Sequence, residues 1–179
     1  VTKKINSITL TELDESNLLF LKNKYKNNNR FSVEKKIILN IEKKFDVIIY
    51  LHVLEHIEKD KEEIERAIKL LKKDGLLIIL APAHQKLYSN LDKQVGHYRR
   101  YEKDFFFFKN FNSLKMIKVI YLDSIGYFLY YLNKLFFKGS NPSQLKIFIG
   151  DKICPPISAI IDFVLGYKFG KCLLGIYKK

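Results

Sequence analysis

Two short runs constrain this chain more than anything else in it: "FDVIIYL" at residues 45–51 and "LLIILAP" at 76–82. Each is apolar without alternation and has the length of a strand. A run with no wet face suits a strand covered by helices on both sides, as in a parallel sheet. Between them lies "DKEEIERAIKLLKKDG" (60–75), where Ile64, Ala67, Ile68 and Leu71 form one helical stripe. Asp60 can cap this helix, with Glu63 as the capping-box partner, and Gly75 can close it in the left-handed conformation.

The same alternation continues on both sides. "SITLTEL" (7–13) reads as a strand, and "DESNLLFLKNKYKNNN" as a helix carrying Leu18, Leu21 and Tyr25. "RFSVEKKIIL" contains a further strand, and "KMIKVIYLD" (115–123) another. "SIGYFLYYLNKLFF" (124–137) puts Ile125, Phe128, Leu129, Leu132 and Phe136 on one helical face. "NPS" (141–143) punctuates, "PPISAIIDFVLG" (155–166) starts a helix after proline, and "KCLLGIYKK" closes as a strand. These elements predict an α/β fold with a mainly parallel sheet, in one domain over 1–179. Residues 124–170 would form a C-terminal helical cover and 171–177 the last strand.

Charge says less than its size suggests. The net charge is +13, yet the lysines are scattered and only four residues are arginine. Scattered lysine fits solvated faces better than a nucleic-acid patch. Cys154 and Cys172 are far apart, without metal or disulfide spacing, which fits a reducing, cytoplasmic setting. The opening residues have no apolar signal core, and no run approaches the roughly 18 apolar residues of a spanning helix. The tail stretches 124–137 and 157–165 are amphipathic, with Lys134, Lys138, Lys168, Lys171, Lys178 and Lys179 in or beside them. They are expected to pack on the sheet, and their exposed tyrosines could still touch an anionic membrane.

In parallel sheets ligands sit beyond the carboxyl ends of the strands, so the residues after each apolar run matter most. Those are Glu12 and Asp14, then "YLHVLEHIEKD", then "APAHQKLYSNLDKQVGHYRRYEKD". His52 and His56 are four apart, but the segment follows a strand and no spacing completes a metal site, so no metal is expected. Arg99 and Arg100 stand together between Tyr98 and Tyr101, next to His97. A planar guanidinium fork does what lysine cannot, so either arginine could grip an anionic acceptor. Either could instead pair with Asp92, Glu102 or Asp104 in a knot that only orders the loop. His97 is the candidate base, with an ordinary pKa near 6.5, and Asp92 its orienter.

The stretch from "FDVIIYLHVLEHI" through "LLKKDGLLIILAPA" to "D...GHYRRY" resembles the class I S-adenosylmethionine-dependent methyltransferases, over about residues 7–123. The last segment is similar to a subgroup of small bacterial methyltransferases whose loop after the fifth strand closes over the active site. The resemblance implies a Rossmann-like sheet of order 3-2-1-4-5-7-6, with "SITLTEL" as the second strand. It implies S-adenosylmethionine as cofactor, its ribose held by Glu12 or, as the near alternative, Asp14. Tyr50, Leu51 and His52 would line the cofactor, and Glu55 and His56 would fix their loop. The segment with Tyr98, Arg99, Arg100 and Tyr101 would be a lid over the acceptor, which places the candidate base His97 and its orienter Asp92 beside the reaction.

The chain departs from the family in two places. The first glycine is Gly75, so the glycine-rich loop of the family's first strand is missing. "SVEKKIILNIEKK" offers no counterpart to the usual adenine-side acid. With valine first, this reads as an N-terminally truncated methyltransferase that binds cofactor poorly. The expected acceptor is a small molecule or a lipid-linked group, and no target-base motif points to nucleic acid. The alternative is a non-catalytic membrane- or protein-interaction module built on the same fold.

Overall fold

The computed structural model describes residues 5–35, 43–107, 111, 113–137 and 154–179, with side chains through Leu132 in the helix that ends at Phe137. Lys138, "NPS" at 141–143 and the end of the run after Glu34 lie outside the described residues. The chain divides into two compact units, Val1–Lys43 and Lys44–Lys179.

The first unit is one strand–helix–strand turn. β1 (Ile8–Thr11) and β2 (Phe31–Glu34) pair in parallel, Ile8 opposite Phe31 and Thr11 opposite Glu34. α1 (Glu15–Tyr25) links them. Asp14 caps it, accepting the Asn17 N–H at 2.9 Å. That bond satisfies one of the donors a helix start leaves open. Tyr25 stacks on Phe31 with ring centroids 4.1 Å apart. Leu18 alone among the α1 residues is buried.

The second unit holds a four-stranded sheet in the order β3-β4-β6-β5. β3 (Phe45–Leu51) runs parallel to β4 (Leu71–Pro82) through α2 (Asp60–Leu70). β5 (Lys115–Leu122) follows the loop after β4. α4 (Ser124–Phe137) and α5 (Cys154–Val164) come next, after the short α3 (Asn90–Gln94) in the loop. β6 (Cys172–Lys178) then enters between β4 and β5, antiparallel to both. Leu54, Ile64, Leu77, Ile79, Leu87, Leu173 and Tyr177 fill the core.

α2 departs from its predicted ends. It stops at Leu70, because the next residues are drawn into β4 by pairing with β3 and by the Lys72–Asp46 ion pair at 2.9 Å. The left-handed residue is Asp74 (φ 64°), not Gly75. Gly75 serves close approach instead: a Cβ there would stand 3.0 Å from the Lys72 carbonyl and 3.2 Å from that of Asp46. At the other end the cap position is Lys59, with no side-chain cap. Asp60 and Glu63 are both buried and accept from tyrosines elsewhere in the fold, so tertiary partners replace the capping box.

A buried knot fixes α4 and α5 at the end of β5. Asp162 of α5 accepts the N–H of Asp123 at 2.7 Å and of Ser124 at 2.9 Å. Ser158 donates to Asp123 at 2.8 Å, and Lys171 pairs with the same carboxylate at 2.9 Å. The far side of α5 stays open, with Ile160, Phe163 and Val164 exposed. No helix among the described residues is long and apolar enough to cross a membrane.

Candidate active site at the ends of β3 and β4

Parallel pairing places the carboxyl ends of β3 and β4 side by side, with Leu51 opposite Leu80 and the His52 N–H on the Leu80 carbonyl at 2.8 Å. The chain then reverses sharply. His52 takes a left-handed φ of 52°, and a single 3-10 turn follows over Leu54–His56. Leu54 and Glu55 go into the interior, Glu55 with 0% exposure. One Glu55 oxygen lies 3.2 Å from His52 Nδ1; the other, Oε2, has no hydrogen-bond partner among the described residues. The Cys172 sulfur 3.9 Å away, and then Glu55, push the His52 imidazole up to about 10.

The loop after β4 returns to the same place. Ala83 bridges to Tyr101, and the Tyr98 N–H donates to the Glu55 carbonyl at 2.8 Å. At its centre is Asp92, 2% exposed. Asp92 accepts from Arg100 Nε at 2.8 Å, His97 Nδ1 at 3.0 Å, the Ser89 N–H at 2.9 Å and the Tyr130 hydroxyl at 2.9 Å. Burial pushes its carboxyl up, but the Arg100, His97 and Ser89 donors outweigh burial and hold it below the usual range. With Nδ1 toward Asp92, the His97 Nε2 is left to face Glu55, 4.0 Å away. Gly96, at φ 81°, makes the turn that brings His97 back.

The arginine pair divides its work. Arg100 is buried, bonded to Asp92 and lying over the Tyr130 ring at 4.4 Å. Tyr101 is buried too, its hydroxyl donating to Asp60 at 2.9 Å. These two were expected at the acceptor; their donors are instead spent on Asp92 of the loop and on Asp60 of α2, where burial demands partners. Arg99 reaches Asp60 at 2.8 Å and the Glu58 carbonyl at 2.7 Å, and it remains partly exposed. Tyr98 is exposed, 5.8 Å from the Arg99 guanidinium. Of the four, Tyr98 and Arg99 have surface to offer a ligand.

The cofactor residues divide similarly. Tyr50 is buried and donates to Glu63 at 2.9 Å, so its side chain is engaged, and burial pushes its phenol above the usual range. Leu51 and His52 are exposed at the strand end. In the first unit Asp14 is committed to its cap. Glu12 ends β1 with Oε1 on the N–H groups of Leu13 (2.7 Å) and Asp14 (2.9 Å). Its Oε2 makes no hydrogen bond among the described residues. That leaves one carboxylate oxygen able to accept a further hydrogen bond.

Sequence reasoning missed three members of the site. Asp60 looked like a cap, Tyr130 like any tyrosine of its helix, and Glu55 like a loop anchor. Only the acid in "VLEHI", between two histidines, carried a local signal.

A family model described as "Methyltransferase domain" matches residues 6–117. No curated protein matches. The fold is similar to N-methyltransferase NodS from Bradyrhizobium japonicum WM9, solved with S-adenosyl-L-homocysteine, at 13% identity and TM-score 0.56, over 97% of this chain and 66% of that one. Coclaurine N-methyltransferase, bound to N-methylheliamine and S-adenosyl-L-homocysteine, gives 14% and 0.58 over 96% of this chain and 60% of that one. The [4+2]-cyclase SpnF gives 10% and 0.59 over 97% and 66%. The chain therefore spans about two thirds of the length of these structures. The likeness at such identities is one of fold, and SpnF shows that the fold hosts more than one chemistry.

Proposed function

Since the chain belongs to the methyltransferase-domain family, by a match over more than half of its length, we propose that it transfers the methyl group of S-adenosylmethionine to a small-molecule or lipid-linked acceptor. The observation that carries this reading is the buried Asp92 beside His97, at the carboxyl ends of β3 and β4. S-adenosylmethionine, when bound, supplies an electrophilic methyl group. The protein's own part is to hold and deprotonate the acceptor. Asp92 fixes the His97 ring through Nδ1 and leaves Nε2 as a proton acceptor. That Nε2 would take the proton that the acceptor's oxygen or nitrogen gives up on methylation. Tyr98 and Arg99 have the exposure to position an acceptor's flat or anionic part. Within the first unit Glu12 is the residue proposed for the ribose diol, and within the second the backbone at Leu51–His52 is proposed for cofactor contact.

We further propose that a strand and glycine loop upstream of this sequence complete the cofactor site. Removing the first strand from the order 3-2-1-4-5-7-6 leaves a 3-2 pair and a 4-5-7-6 sheet with one antiparallel strand. The parallel β1–β2 pair and the β3-β4-β6-β5 sheet with antiparallel β6 have those orders, which supports the reading. The protein would act in the cytoplasm, touching the membrane face only peripherally.

The test uses the full-length protein with isotopically labelled S-adenosylmethionine and fractionated small-molecule and lipid extracts. Label should enter one fraction, and His97→Gln should lower the rate by about a hundredfold or more, the usual worth of a general base. Cofactor binding without transfer to any fraction would favour an interaction module. A chain extended upstream should bind cofactor at least about tenfold more tightly than residues 1–179, about 1.4 kcal/mol. Equal affinities by calorimetry would remove "SITLTEL" from its place as second strand.

A further inference from the structure

Glu55, His56 and His97 converge from two loops, and their ligand atoms all lie within 4.8 Å of one another. We propose that these three side chains bind a divalent transition-metal ion of the zinc type. The proposal goes beyond methyl transfer and does not depend on it. Sequence spacing argued against a metal because His52 and His56 lacked a third ligand. The fold supplies one from 41 residues away, since His97 is carried back by the Gly96 turn and the Tyr98–Glu55 backbone bond.

Four features support the site. The first is the orphaned oxygen. Glu55 is 0% exposed and its Oε2 has no hydrogen-bond partner among the described residues. An unpaired carboxylate oxygen in the interior is costly, and a cation held by the carboxylate would lower that cost; the oxygen that faces His97 Nε2, at 4.0 Å, is Oε1, which also meets His52 Nδ1 at 3.2 Å. The second is the donor set. Two imidazoles and one carboxylate suit zinc and its first-row neighbours; magnesium and calcium want oxygen throughout. The third is the outer shell. His97 is oriented by Asp92 at 3.0 Å on Nδ1, so Nε2 points at Glu55. A carboxylate behind a ligating histidine is the common way to fix its tautomer. The fourth is room. The His56 and His97 rings meet edge-on with centroids 4.7 Å apart, and His56 is exposed. Tetrahedral binding at about 2.1 Å puts ligand atoms roughly 3.4 Å apart. A rotation of the exposed His56 ring can close its own distances, and a shift of about half an ångström closes the 4.0 Å between His97 Nε2 and Glu55. Three protein ligands leave a coordination position open to solvent, as in catalytic rather than structural zinc sites.

Metal binding and proton acceptance use the same lone pair on His97 Nε2. In the loaded protein His97 would be a ligand and not a base.

The experiment takes the full-length protein, stripped with chelator and dialysed, with neither S-adenosylmethionine nor acceptor present. Zn²⁺ is titrated in competition with a chromophoric chelator, and Co²⁺ is followed by its visible absorption. One equivalent should bind, and the Co²⁺ band should have the intensity of a four- or five-coordinate site. His56→Ala, at an exposed position, and His97→Ala should each weaken Zn²⁺ binding about a hundredfold or more. His84→Gln, outside the cluster, should leave it unchanged. Glu55→Gln should behave like the histidine variants if it folds; if it does not, His56→Ala decides. No stoichiometric binding by the parent protein, or affinity retained in the His56→Ala/His97→Ala double variant, overturns the site. Because no methyl transfer is measured, that failure would leave the methyltransferase reading standing. Loss of methyl transfer with zinc binding intact would do the reverse.

Discussion

Asp92 and Asp162 are both 2% exposed, and each gathers a buried polar knot. What each gathers differs. Asp162 accepts two backbone N–H groups, from Asp123 and Ser124, and so caps a neighbouring helix from α5. Both of these donors are neutral main-chain groups. Asp92 gathers an arginine, a histidine, a serine and a tyrosine, most of them by side chain. A carboxylate spent on main-chain donors holds shape. One spent on an imidazole also sets where a proton can go. Burial of an acid does not by itself mark a reaction centre; the chemistry of its donors does.

The largest effect should come from Asp92→Ala. It leaves the Arg100 guanidinium buried without its counter-charge, and breaking such a pair costs about 3–5 kcal/mol. Urea unfolding of the full-length protein checks this, and a loss under about 1 kcal/mol would mean Arg100 finds another partner. Asp162→Ala should be milder, about 2–3 kcal/mol, because two neutral N–H groups lose their acceptor. Turnover per folded molecule should stay unchanged in this variant. A drop like that from His97→Gln would break the contrast between the knots. The smallest effect concerns the outer face of α5, where Val164 is 76% exposed and Phe163 72%. Lys168 follows at the helix end. Weak binding to anionic vesicles at low salt is expected, lost at about 0.5 M salt where the Debye length is short. No binding at low salt would leave that face without a membrane role.

The fold was legible where burial acts on whole runs. "LLIILAP" lies in β4 with no exposed residue, as a run apolar on both faces demands, whereas "FDVIIYL" forms β3 with Val47, Ile49 and Leu51 exposed, so the cover expected on both faces is found for β4 and not for β3. The α2 ends were misread because Asp60 and Glu63 are good local caps, yet two buried tyrosine hydroxyls compete for them. Within the site, the Asp92–Arg100 pair was legible as a short-range possibility between neighbours in one loop. The Arg99–Asp60 and Tyr130–Asp92 contacts span 39 and 38 positions. No local pattern marks Tyr130 apart from Tyr127 or Tyr131, because its role is set by where α4 docks. Nor does sequence tell that the acid of "VLEHI" turns inward while the histidine after it stays in solvent.

The place of β6 in the sheet governs the order in which the protein can assemble during synthesis. β4 and β5 are separated by β6, although β6 is made last of the three. Until residues 172–178 emerge, one edge of β4 and one edge of β5 carry unpaired backbone donors and acceptors. The roughly fifty residues between β5 and β6 take on the order of 3 to 10 seconds to translate at ordinary rates. For that interval the nascent chain holds two open strand edges, including the one whose far end carries the loop of Asp92 and His97. Open edges of this kind can pair with other chains, and a translational pause ahead of Cys172 would lengthen the exposure.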